Sequence, residues 1–85
     1  MKLIKTRSGR YINTYHAIAF SVEESVIEVE GKRRRVYNLV VHLPQPLLPA
    51  ILGIYPTEEE AHQYLEVLVN ALCGEKSIVH VESHF

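Results

Sequence analysis

Apolar and polar residues alternate with a period of two through most of the first half of this chain. The period changes once, to that of a helix, in the second half. Leu3-Ile4 between lysines predicts a short first strand, and Ser8-Gly9-Arg10 predicts a turn. Over residues 11–22, Ile12, His16, Ile18, Phe20 and Val22 share one parity, which predicts a strand with one apolar face. Glu23-Glu24-Ser25 interrupts that pattern, and it resumes over Val26–Glu30. Glu30-Gly31-Lys32 predicts a hairpin turn, because glycine tolerates positive φ.

Arg33–Leu43 is the strongest strand. Tyr37, Leu39, Val41 and Leu43 face one way, and Val36, Val40 and His42 face the other. Apolar residues on both parities predict a central strand with at least partial cover on both faces. Three prolines in Pro44-Gln45-Pro46-Leu47-Leu48-Pro49 exclude a helix or a central strand there and predict an extended connection. Ala50–Tyr55 predicts another short strand. The most sharply marked junction follows. Thr57 caps a helix, and Thr57-x-x-Glu60 is a capping box with three glutamates in the first turn. Ala61, Leu65, Leu68, Val69 and Leu72 form its apolar stripe, and Gly74 its stop. Ile78–Val81 predicts a last strand. The expected fold is α+β, a single domain over residues 1–85. A small, mostly antiparallel sheet of four to five strands carries one amphipathic helix on one face, in the order β-β-β-β-α-β.

Composition narrows the function more than it identifies it. A hydrophobic fraction of 47% in 85 residues suits one small folded core. Cys73 is the single cysteine, so neither an internal disulfide nor a multi-thiolate zinc site is expected, and a cytoplasmic location is the expectation. Apolar runs are shorter than a membrane span, and the first residues lack the apolar centre of a signal peptide. Charge is uneven: residues 1–35 hold eight bases and four acids (+4), whereas residues 36–85 hold one base and six acids (−5).

Candidate chemistry is sparse. Lys32, Arg33, Arg34 and Arg35 beside a hairpin turn suit contact with a phosphate backbone, with Tyr11, Tyr15 and Tyr37 as stacking surfaces. The alternative is a solvated hairpin whose charges oppose edge pairing. His16, His42, His62, His80 and His84 raise the question of metal. Neither His80-x-Glu82-x-His84 nor Glu58/His62/Glu66 has a zinc-site pattern, and no metal or cofactor is expected. The serines lack a nucleophile-elbow context, and Cys73 at a helix C-terminus reads as a small apolar helix-end residue. Pro46-x-x-Pro49 fits a PxxP pattern by spacing alone; the reading here is packing.

The opening Met1–Asn13 resembles the starts of small bacterial proteins, and the strand-Thr-Glu-Glu-Glu-Ala-helix junction resembles that of many small α+β domains. Neither resemblance carries a residue role. The preferred expectation is a non-enzymatic protein–protein interaction module that self-associates as a homodimer or larger, with Val36, Val40, Leu47 and Leu48 at its interface. Another protein is a possible partner and a membrane is not expected. The alternative is a nucleic-acid accessory domain using the basic hairpin.

Overall fold

Among the described residues the chain runs through β1 (Leu3–Lys5), β2 (Tyr11–Asn13), a 3-10 turn (Thr14–His16), β3 (Ala19–Val29), β4 (Lys32–His42), β5 (Ala50–Tyr55), α1 (Glu58–Leu72) and β6 (Ile78–His80). The computed structural model describes residues 2–6, 8–74, 78–81 and 83, with the backbone alone for His16. The α+β class holds, with one helix packed on an antiparallel sheet. The strands divide into two three-stranded sheets, β2-β1-β6 and β3-β4-β5, in place of one sheet of four to five strands. The first sheet joins the two ends of the chain: β1 pairs antiparallel with β2 and parallel with β6.

The division has a local cause. Residues 11–22 are not one strand. The Asn13 side chain accepts a hydrogen bond from the Tyr15 backbone N–H at 3.0 Å and turns the chain into the 3-10 segment. Thr14 also anchors β2 to β1, its Oγ1 donating to the Lys2 carbonyl at 3.0 Å. Extended structure restarts at Ala19 and then continues through Glu23-Glu24-Ser25 without a break. Both glutamates are exposed on an edge strand, so their charges stay in water and need no interruption. The hairpin to β4 turns at Glu30-Gly31, with φ of 52° and 78°. Two positive φ values in a two-residue loop match the twist of the flanking strands, and this turn sets the register Val29↔Lys32.

One apolar cluster holds Ile4, Ile12, Leu39, Val41, Leu43, Leu52, Tyr55, Ala61, Leu68 and Val79, which come from both sheets and the helix. β5 reaches it through a bulge. Leu39 pairs with Gly53 but Val40 pairs with Ile51, so Leu52 is an extra residue. The insertion shifts parity, and Ala50, Leu52, Gly53 and Tyr55 all serve the core side while Ile51 and Ile54 take the other. Tyr55 is fully buried, and its ring stacks on Tyr64 of α1 with centroids 5.0 Å apart and planes 10° from parallel. The ring also lies back over Gly53: a Cβ there would sit 2.3 Å from the Tyr55 hydroxyl oxygen and 2.8 Å from the ring carbon that carries it. Gly53 is glycine because a ring occupies the space of its side chain.

The helix starts as expected. Glu60 N–H donates to Thr57 Oγ1 at 3.2 Å. Its core-facing stripe is centred nearer Tyr64 than the sequence suggests: Tyr64, Leu65, Ala71 and Leu72 pack beside Ala61 and Leu68, while Val69 is exposed. Cys73 is exposed at the C-cap, not packed as an apolar residue. The last turn of α1 carries no basic residue, and Lys2 supplies the missing cation from outside by donating from Nζ to the Gly74 carbonyl. No helix among the described residues is long and apolar enough to cross a membrane.

Gly53→Ala is expected to destabilise the fold by about 1–3 kcal/mol, because the Tyr55 ring must leave its stacked position. Urea unfolding followed by tyrosine fluorescence checks this; a change within about 0.5 kcal/mol removes the proposed packing role.

Candidate interaction site

The basic run is placed by the register of β3 and β4. β5 pairs with β4 only over Tyr37–Val41, so Lys32–Val36 and their β3 partners form a two-stranded arm beyond the sheet. Strand alternation splits the four cations. Arg33 and Arg35 share one face with Glu24, Val26 and Glu28, whereas Lys32 and Arg34 share the other with Ile27 and Val29. On the first face Glu28 stands directly opposite Arg33, and Arg35 Nε meets Glu24 Oε1 at 2.8 Å. All four cations are exposed. Adjacent positions in sequence thus become two half-sites, one of them matched by acids. Tyr37 shares the face of Arg33 and Arg35, but Tyr11 and Tyr15 belong to the other sheet and its turn.

The second face of the larger sheet carries a cluster that sequence spacing did not reveal. Ser21 Oγ lies 2.8 Å from His42 Nε2 and donates to Glu23 Oε2 at 3.1 Å. Glu23 Oε2 lies 3.3 Å from the same His42 nitrogen. The register could have pointed to it, since Ser21 lies opposite Val40 and Ala19 opposite His42. A hydroxyl nucleophile needs the imidazole to take its proton at one ring nitrogen while an acid holds the other. Here hydroxyl and carboxylate share one nitrogen, and no acid among the described residues holds the other. The arrangement is a polar tie between β3 and β4. Next to it, Asn38 Nδ2 donates to Ser25 Oγ at 3.0 Å, and Asn38 Oδ1 has no hydrogen-bond partner among the described residues.

The remaining candidates are scattered. His62 meets Glu58 at 3.6 Å along the exposed side of α1. His80 is exposed on β6, and Glu82 and His84 lie outside the described residues. No three metal-ligating side chains come together among the described residues. Val36 and Val40 are buried within the single chain, which bears out the two-sided character of β4 but leaves them covered. The proline-rich connection is neither extended nor packed: Leu47 N–H donates to the Pro44 carbonyl at 2.9 Å and closes a turn around a cis Gln45–Pro46 bond, and Leu47 and Leu48 are exposed at 46% and 80%.

Among the described residues the sheet edges differ in charge and cover. The β3 edge carries Glu23, Glu24 and Glu28, and the free part of β4 carries Lys32–Arg35, so either strand repels its own copy. On β5, Ile54 N–H donates to Ser83 Oγ at 2.8 Å, and the Ser83 hydroxyl donates to the Ile54 carbonyl at 3.3 Å. β2 faces Leu43 and Leu47 of the proline-rich loop across a small recess. β6 remains. It is the outer strand of its sheet, and Ile78-Val79-His80 carries no formal charge with neutral histidine. Beside it runs a groove of about 200 Å³ lined by Tyr64, Val67, Leu68 and Ala71 of α1 and by Val79, His80 and Val81. The helix residues follow i, i+3, i+4, i+7 spacing, and three consecutive residues line the other wall. Successive strand side chains point to opposite faces, so a wall made of consecutive residues is a backbone edge. The sequence signal for this site was weak, because a three-residue strand and the flank of a helix show no shared period.

No protein-family model, curated protein or solved structure matches the chain.

Any nucleic-acid contact by one face of the arm engages two cations. A plot of log affinity against log salt is expected to have a slope of about −2 or shallower on duplex DNA. Fluorescence anisotropy at several salt concentrations measures it; a slope of about −4 would mean that all four cations engage together.

Proposed function

We propose that this chain is a non-enzymatic protein–protein interaction module that associates with itself. The observation that supports this is the β6 edge, uncharged over Ile78–His80, beside an apolar groove. Val67, which lines the groove from the helix, is 55% exposed, and Ile78 on the strand is 42% exposed. A strand edge left open and uncharged invites another strand. The groove is smaller than the roughly 300–1,000 Å³ of pockets for drug-sized ligands, and it is lined by apolar side chains, not convergent polar ones. Its size suits a few side chains of a protein partner. Tyr11, Leu47 and Leu48 add exposed apolar surface on the opposite edge of the first sheet.

Phosphate-backbone binding through Lys32, Arg33, Arg34 and Arg35 is the weaker reading. Acids on β3 match half of those cations, and the tyrosines of the other sheet are not gathered with them. A cytoplasmic setting suits a chain whose single cysteine, the exposed Cys73, has no second cysteine within the chain to pair with.

Light scattering after size exclusion is expected to give twice the chain mass or a larger multiple, unchanged between low and high salt. Apolar strand and groove contacts are not screened by ions. A monomer at every concentration tested overturns the reading, and a dimer that dissociates in high salt transfers it to the charged arm.

A further inference from the structure

We propose that the end of the molecule formed by β2 and the proline-rich connection docks on the surface of an anionic lipid bilayer. This goes beyond the self-association reading and does not rest on it, since β2 and β6 are opposite edges of the first sheet. The short apolar runs of the chain argue against spanning a membrane. Lying on its surface takes only a few apolar side chains and neighbouring cations.

The apolar part projects from the fold. Leu48 is 80% exposed, and Leu47 beside it joins two open recesses, one shared with Pro46 and Pro49 and the other with Arg10 and Tyr11. Ile18 is exposed nearby: its N–H donates to the His42 carbonyl at 2.8 Å, next to Leu43, which lines both recesses. A projecting leucine enters lipid without the matching cavity that a folded partner would have to supply. The backbone suits the same medium. Among the six residues 44–49, three prolines carry no N–H, and Leu47 donates its own to the Pro44 carbonyl at 2.9 Å. Two N–H groups remain, those of Gln45 and Leu48. The loop therefore has few donors to desolvate and no ladder to offer a partner strand.

Charge selects the kind of surface. No residue lining either recess is acidic, and Arg10 is exposed beside Tyr11. Lys5 Nζ stands 5.9 Å from the centre of the Tyr11 ring, which puts a second cation at the same place. Residues 1–22 contain four bases and no acid, and residues 36–57 contain no Lys, Arg or Glu. Cations beside exposed tyrosine and leucine match a negative headgroup layer over hydrocarbon.

The test is co-sedimentation of the full chain, at physiological salt, with phosphatidylcholine vesicles made with and without phosphatidylserine. Binding is expected on the phosphatidylserine vesicles and not on phosphatidylcholine alone. Leu48→Glu, at an exposed position, is expected to weaken it about tenfold or more with unchanged far-ultraviolet circular dichroism. Arg10→Gln is expected to weaken it about fivefold. Lys32→Gln with Arg34→Gln is expected to leave it within about twofold, because the arm lies about 30 Å away along β4, beyond a screening length of about 8 Å. In a Cys73→Ser background, Leu48→Cys carrying a polarity-sensitive fluorophore is expected to shift its emission to the blue on phosphatidylserine vesicles. No binding to those vesicles overturns the proposal and leaves the patch to a protein partner. Equal binding to both vesicle types overturns the role of charge. Binding that survives Leu48→Glu and is lost in the arm variant overturns the docking surface, as does a label at position 48 whose emission stays fixed while the protein sediments.

Discussion

The packing of Tyr55 against Gly53 and Tyr64 is the constraint on which the rest of the fold depends. A regular β5 would carry strict alternation, and Ala50, Leu52 and Ile54 would share a face while Gly53 and Tyr55 took the other. The extra residue at Leu52 breaks that alternation and puts both Leu52 and Tyr55 into the core. Tyr55 then fills the space above Gly53 and offers a flat ring to α1. Thr57 caps the helix two residues later, so the position of the tyrosine and the start of the helix are set together. Once α1 lies across the larger sheet, its flank passes beside β6 and bounds the groove there. A bulge of one residue thus reaches, through two rings and a helix, to the surface where a partner is proposed to bind.

Charge does a different job from packing here. Acids of β3 match two of the four bases of β4 across the arm, and like charges on each strand oppose pairing with a copy of itself. An isolated two-stranded ribbon is marginal in water, so the arm relies on its I′ turn, its cross-strand pairs and its continuity with the three-stranded part of the sheet. The polar tie of Ser21, Glu23 and His42 strengthens the other end of the same strand pair. The basic run that stands out in sequence is half matched by acids across the arm, while the short uncharged strand β6 does not stand out.

The sequence by itself determined what depends on near neighbours. The Thr57 cap and its glutamates, the Glu30-Gly31 turn, the two-sided character of β4 and the exclusion of regular structure from the proline-rich loop all follow from local chemistry, and the structure bears them out. The α+β class follows from the same local periods. Tertiary structure decided whatever required distant residues to meet. Asn13 ended a strand that alternation alone would have continued, because its side chain found the Tyr15 N–H. Exposed glutamates did not end β3, because water and Arg35 satisfy them. The parallel pairing of β1 with β6 joins residues more than seventy places apart, and no local period encodes such a partner. The β5 bulge, the bond from Lys2 to the helix end and the β6 groove share that origin. Periodicity records which face of an element is apolar; which element covers that face, and which edge stays open, is settled only when the whole chain competes for the same core.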